Sequence, residues 1–275
     1  MKHALSIFRM DAAGALRNPW FWAYAAAVIL SCASLFAAGI TESRVMGFTG
    51  LTRVLLIFIQ ASNLVLPVLI LIATVRTLVK ERETNVFEYL LSFPVGLAEY
   101  FFGKALGQLF VIVLPLLAAM ALSVLLGFIG AHTVPWDVVL LYTALLFASS
   151  VFYVGLGFML SSIARSQEIG LGLALFVWLL FIALLDIALL GLLMKGMASE
   201  EVVFAIALAN PIQIFKIAAI SLFDPVLSVI GPAAYFILDS FGSTGFMIYS
   251  LGFLLVGGIG FLLAGFAVFK NRDLV

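Results

Sequence analysis

One carboxylate stands inside a long apolar run, Asp186 in LLFIALLDIALLGLLM. A charge in hydrocarbon costs about 2.5–3.5 kcal/mol on insertion scales, so it needs a partner or a use. Two readings stay open: Asp186 lines a substrate route or a seam between copies, or it snorkels outward or bonds a neighbouring helix. Gln60, Ser62, Asn63 and Pro67 give another run a polar, kinked stretch. That stretch fits a substrate path as well as helix-to-helix hydrogen bonding. Met194 and Met197, in Met194-Lys195-Gly196-Met197, could offer two thioethers to Cu(I), with Met46 or His132 as further donors. Methionine is equally an ordinary membrane filler.

Other chemistry is poorly supplied. Cys32, His3 and His132 lie in unrelated places, and the runs contain neither H-E-x-x-H nor paired carboxylates, which argues against an intramembrane enzyme. Ala98-Glu99-Tyr100-Phe101-Phe102-Gly103-Lys104-Ala105 is the nearest approach to a phosphate loop, yet it lacks the first glycine and the final Ser/Thr of G-x-x-x-x-G-K-[ST]. Any ATP and magnesium therefore belong on another chain, and this one is expected to bind no cofactor.

The elements that must carry these residues follow from composition. Of 275 residues, 65% are hydrophobic and 10% charged. Ordinary soluble domains hold about 25% charged residues, so this much apolar surface calls for lipid around it. The fourteen basic and fourteen acidic residues balance, and no basic face offers itself to nucleic acid. Six continuous apolar runs are expected to span as helices: Trp20–Ile40, Val54–Val79, Lys104–Gly130, Val138–Ile163, Ile169–Met194 and Phe246–Phe269. Each exceeds the roughly 20 residues that cross a bilayer core, and none alternates as a barrel strand would. The expected fold is an all-α membrane protein, one transmembrane domain over 1–275.

Six spans place both termini on one side. That side would carry ten basic residues (Lys2, Arg9, Arg17, Arg76, Lys80, Arg82, Lys104, Arg165, Lys270 and Arg272) against four (Arg44, Arg53, Lys195 and Lys216) on the other. The bias puts the termini in the cytoplasm. Ile29-Leu30-Ser31-Cys32 fits a lipoprotein cleavage site poorly, so Trp20–Ile40 is read as a retained span. Residues 1–19 should form an interfacial helix or a plain charged flank, with Leu5, Phe8, Ala12 and Leu16 near one face, Asp11 elsewhere and Pro19 as its stop.

Segment 80–103 combines charge with helical amphipathicity. Glu81, Arg82, Glu83 and Glu88 are polar, whereas Val86, Phe87, Leu90 and Leu91 recur at helical spacing before Pro94. Such a helix could fill a socket on a soluble partner or rest on the bilayer. The order Glu81-Arg82-Glu83, Glu88, Leu90-Leu91, Pro94 and Gly103-Lys104 resembles the ABC-2-type permeases of ATP-binding-cassette transporters, with Asn85-Val86 where that family usually has Gly-Thr. The resemblance implies a coupling helix that docks in an ATPase subunit, formed by Glu81, Arg82, Glu83, Phe87, Glu88, Leu90, Leu91 and Pro94. It also implies a permease working as a dimer over two ATPases. Arg17-Asn18-Pro19-Trp20, Ala164-Arg165-Ser166, Asn210-Pro211 and Asn271-Arg272-Asp273-Leu274 narrow it to permeases that serve maturation of nitrous oxide reductase, a copper enzyme. A lipid, peptide or antibiotic exporter is the rival within the family. An ion-coupled secondary transporter using Asp186 is the rival outside it, although the chain shows none of the internal repeats usual there.

The outer loop 195–243 is apolar but broken by Asn210-Pro211, Asp224-Pro225 and Gly231-Pro232. The first two pair an N-cap with proline at the first helical position, predicting short helices over Pro211–Leu222 and Pro225–Ile230, with a third after Pro232. They would form a lid over the bundle or a docking surface; the resemblance implies a periplasmic partner for the latter, and both readings stay open.

Overall fold

The computed structural model describes residues 2–17, 21–22, 25–26, 28–29, 50–84, 95–129, 136–184, 205–206, 208–222 and 232–271. Its elements there are helices: α1 (Lys2–Leu16), α2 (Gly50–Glu83), α3 (Leu97–Ile129), α4 (Trp136–Ile163), α5 (Gln167–Leu179, continued by a π turn over Leu180–Leu184), α6 (Pro211–Ser221) and α7 (Pro232–Lys270). Among the described residues four stretches are long and apolar enough to cross a bilayer: Asn63–Glu83, Leu97–Leu122, Trp136–Ile163 and Gly242–Lys270. They carry the second, third, fourth and sixth expected runs. The fifth run is described to residue 184, and the first lies mostly outside the described residues.

Helix α4 is the centre of the bundle, packed against α7, α2, α3 and α6. Its crossing with α7 is backbone on backbone. A Cβ added to Gly155 would fall 2.0 Å from the Gly258 carbonyl oxygen, and one added to Gly258 would fall 2.7 Å from Phe152 Cα. Without apolar driving force between helices in lipid, such close approach supplies the dispersion contacts that hold them. Gly157 admits Thr74 of α2 in the same way, and Gly265 admits Met159. At Gly172 and Gly260, by contrast, an added Cβ meets nothing within 4 Å. Their faces point away from the neighbouring helices.

Two breaks shape the far end. Gly242 has φ 68°, a left-handed conformation costly for a residue with Cβ, and it separates the short helix expected after Pro232 from the spanning part of α7. A π turn, a wider coil than the α-helix, continues the fifth run, and its Phe181 carbonyl accepts from Asn210 Nδ2 at 2.8 Å.

Helix α1 sits on α3. Ile7 and Ala12 are buried, and Phe8 meets Phe110 edge to face at 5.5 Å. Leu5 and Leu16 of the expected apolar face are exposed, and Asp11, expected on another face, turns toward Lys104 of α3. The helix ends before Pro19 as expected, and the Trp22 indole N–H donates to the Leu16 carbonyl at 2.8 Å.

Candidate coupling site at the basic end of the bundle

Helix α2 runs to Glu83 and α3 begins at Leu97, so the segment expected over 80–103 opens and closes inside helices. Glu81, Arg82 and Glu83 lie on the last turn of α2. Phe87, Glu88, Leu90, Leu91 and Pro94 lie outside the described residues.

The last turn of α2 is fixed from both sides. Lys104, the lysine of the false phosphate loop, stands two turns inside α3 rather than at a span's edge and is 4% exposed. Its ammonium lies 2.5 Å from Glu81 Oε1 and 3.4 Å from Asp11 Oδ2, with the Tyr100 ring 5.8 Å away. One cation thus joins three helices. Gly107, one turn on, lets α1 come this close, since an added Cβ would lie 3.0 Å from Asp11 Cβ. Burial raises the Asp11 carboxyl above its ordinary value, outweighing the opposing pull of Lys104. Glu81 Oε2 is buried with no hydrogen-bond donor among the described residues.

On the other side, α2 is tied to the turn between α4 and α5. Arg82 Nη1 donates to the Ala164 carbonyl at 3.1 Å. Glu83 Oε1 accepts the Gln167 backbone N–H at 2.9 Å, and its Oε2 accepts from the Gln167 side chain. A carboxylate there satisfies an orphan donor at the positive end of α5. Ser166 is that helix's N-cap, accepting from the Ile169 N–H at 3.2 Å. Tyr100 stacks on Phe269, which brings the end of α7 to the same place. The basic residues grouped from the sequence on one side, Arg82, Lys104, Arg165 and Lys270, therefore cluster at one end of the bundle. The lacing itself was missed: Asp11, Lys104 and Gln167 carried no local pattern naming their partners.

At the opposite end Asn63, expected on a substrate path or in helix packing, donates to the Ile212 carbonyl of α6 at 3.0 Å. The Gln60 side chain, Asp186, Met194 and Met197 lie outside the described residues. Asn210 uses both ends of its amide, capping α6 by accepting the Ile212 N–H at 3.0 Å while it donates to Phe181. Trp178 donates to the Leu64 carbonyl and Tyr249 to the Leu208 carbonyl. Helix α6 starts where Asn210-Pro211 predicted, and eight of its eleven residues are buried. Those eight residues pack into the bundle and are not open to a partner.

Long apolar helices with their charged ends laced together define a multi-pass membrane protein. The chain belongs to the ABC-2 family: the model for "ABC-2 family transporter protein" matches residues 5–274. It is therefore a permease of the ATP-binding-cassette transporters. Among its relatives are two proteins named "Probable ABC transporter permease protein NosY". The one from Stutzerimonas stutzeri is 25% identical over 241 residues, covering 84% of this chain and 86% of the relative. The one from Pseudomonas aeruginosa PAO1 is 26% identical over 226 residues, covering 80% and 82%.

Proposed function

We propose that this chain is the NosY-like permease of a transporter serving copper–sulfur centre assembly in nitrous oxide reductase. It works as a dimer in the inner membrane with both termini in the cytoplasm. ATP hydrolysis occurs on two NosF-like ATPase subunits that bind at the basic end, where the last turn of α2 leads into the segment carrying Glu88, Leu90 and Leu91. The outer segment 195–243 meets a NosD-like periplasmic partner through surfaces other than the buried faces of α6. Asp186, Gln60 and Asn63 lie on or beside the route, and Met194 and Met197 are candidate soft-metal donors at its outer end.

The observation that supports this reading above others is likeness to NosY permeases over most of the chain's length. Deleting the chain's gene should leave nitrous oxide reductase present but without its copper–sulfur absorption bands. A fully loaded enzyme in the deletion strain would remove this role while leaving family membership untouched.

A further inference from the structure

The ion cluster around Lys104 is more than α1 needs for anchorage. Ile7, Ala12, Phe8 on Phe110 and the seat at Gly107 already hold α1 on α3. Burying one ammonium and two carboxylates adds desolvation that apolar side chains of similar volume would avoid, so a triad of this kind is a poor device for stability. What it supplies is direction. A lysine held by Asp11 from α1 and Glu81 from α2 has one low-energy place, and moving either helix alone pulls a carboxylate away from a buried ammonium.

Glu81 lies on the last turn of α2, where Arg82 and Glu83 are fastened to the turn before α5. We propose that Lys104 is a positioning residue that makes the N-terminal helix part of the coupling unit, so that α1 moves with the end of α2 when the ATPases close. This rests on the coupling reading above. It adds that a helix far from that segment in sequence controls how the segment responds to nucleotide.

The test uses the assembled complex, with Cys32→Ser and Ser92→Cys introduced so that one cysteine, outside the docking residues, reports contact with the ATPase subunit. Crosslinking to that subunit is measured with and without ATP. Asp11→Asn, which keeps shape and lies on another helix, should preserve the yield of complex while shrinking the ATP-driven change in crosslinking by about fivefold, within the range measured for contacting groups. Lys104→Met should do the same. If the thiol introduced by Ser92→Cys never reaches the ATPase in the otherwise intact permease, the coupling reading fails and this inference with it. If it does reach the ATPase and both variants respond to ATP as the parent does, the coupling reading stands and the role of Lys104 is overturned. A lowered yield with a normal response per complex would likewise overturn it, as the mark of a merely structural brace.

Discussion

Glu83 caps a helix that is not its own: its carboxylate accepts the backbone N–H of Gln167 at 2.9 Å, joining the end of α2 to the start of α5. With Arg82 on the Ala164 carbonyl, this fixes how the chain leaves the membrane just before the segment assigned to the ATPase. Glu83→Gln should keep the complex assembled, because an amide oxygen still accepts from the Gln167 N–H, whereas Glu83→Ala should lower ATP-linked activity. The check is ATPase rate per purified complex for both variants; equal rates for Ala and wild type would show the tie to be idle.

Asn63 is the corresponding tie at the opposite end. Asn63→Leu should leave the Ile212 carbonyl without its donor and cost about 1–3 kcal/mol, since a buried acceptor then loses its partner. Thermal unfolding of the purified permease measures this. A cysteine introduced by Ile217→Cys, at a buried position on α6, should also become reactive in the variant.

Glycines at the α4–α7 crossing should divide by geometry. Gly258→Val puts side-chain atoms into Phe152 backbone and should destabilise by about 1–3 kcal/mol or more, with less protein in the membrane. Gly260→Val, where an added Cβ meets nothing within 4 Å, should be tolerated. Similar membrane levels for the two would contradict the crossing.

Asp11 gives a pH signature. Its charged neighbours are Lys104 from α3 and Glu81 from α2. Because burial raises its folded pKa above the ordinary 3.8, the folded form holds the proton more tightly than the unfolded chain does. Its contribution therefore falls as pH rises from about 4 through the raised value, the direction expected when the native state binds more protons. Asp11→Asn should flatten that part of the stability curve, read as Tm against pH; an unchanged slope would count against the assignment.

What the sequence could show was local. Apolar runs marked four helices long enough to span, although α3 begins at Leu97, well before the run expected from Lys104, and Asn210-Pro211 marked the start of α6, because spans and caps are written in consecutive residues. The lacing at the basic end was not legible, since Asp11, Glu81 and Lys104 are brought together only by the packing of three helices. In α1, periodicity placed Leu5 and Leu16 on an apolar face, and both face outward, where lipid would meet them, but it could not show the glycine seat at Gly107 beside which Asp11 turns toward the bundle.

The central claim is that the segment leading from the last turn of α2 binds the ATPase. Leu90→Asp tests it most directly, since Arg82 and Glu83 also brace the fold while Leu90 belongs to the proposed docking stripe. The measurement is the ratio of ATPase to permease recovered from membranes through a tag on the permease. The account predicts normal permease levels with that ratio lowered about tenfold or more, as for an apolar anchor lost from an interface centre. A wild-type ratio together with wild-type ATP hydrolysis would contradict it.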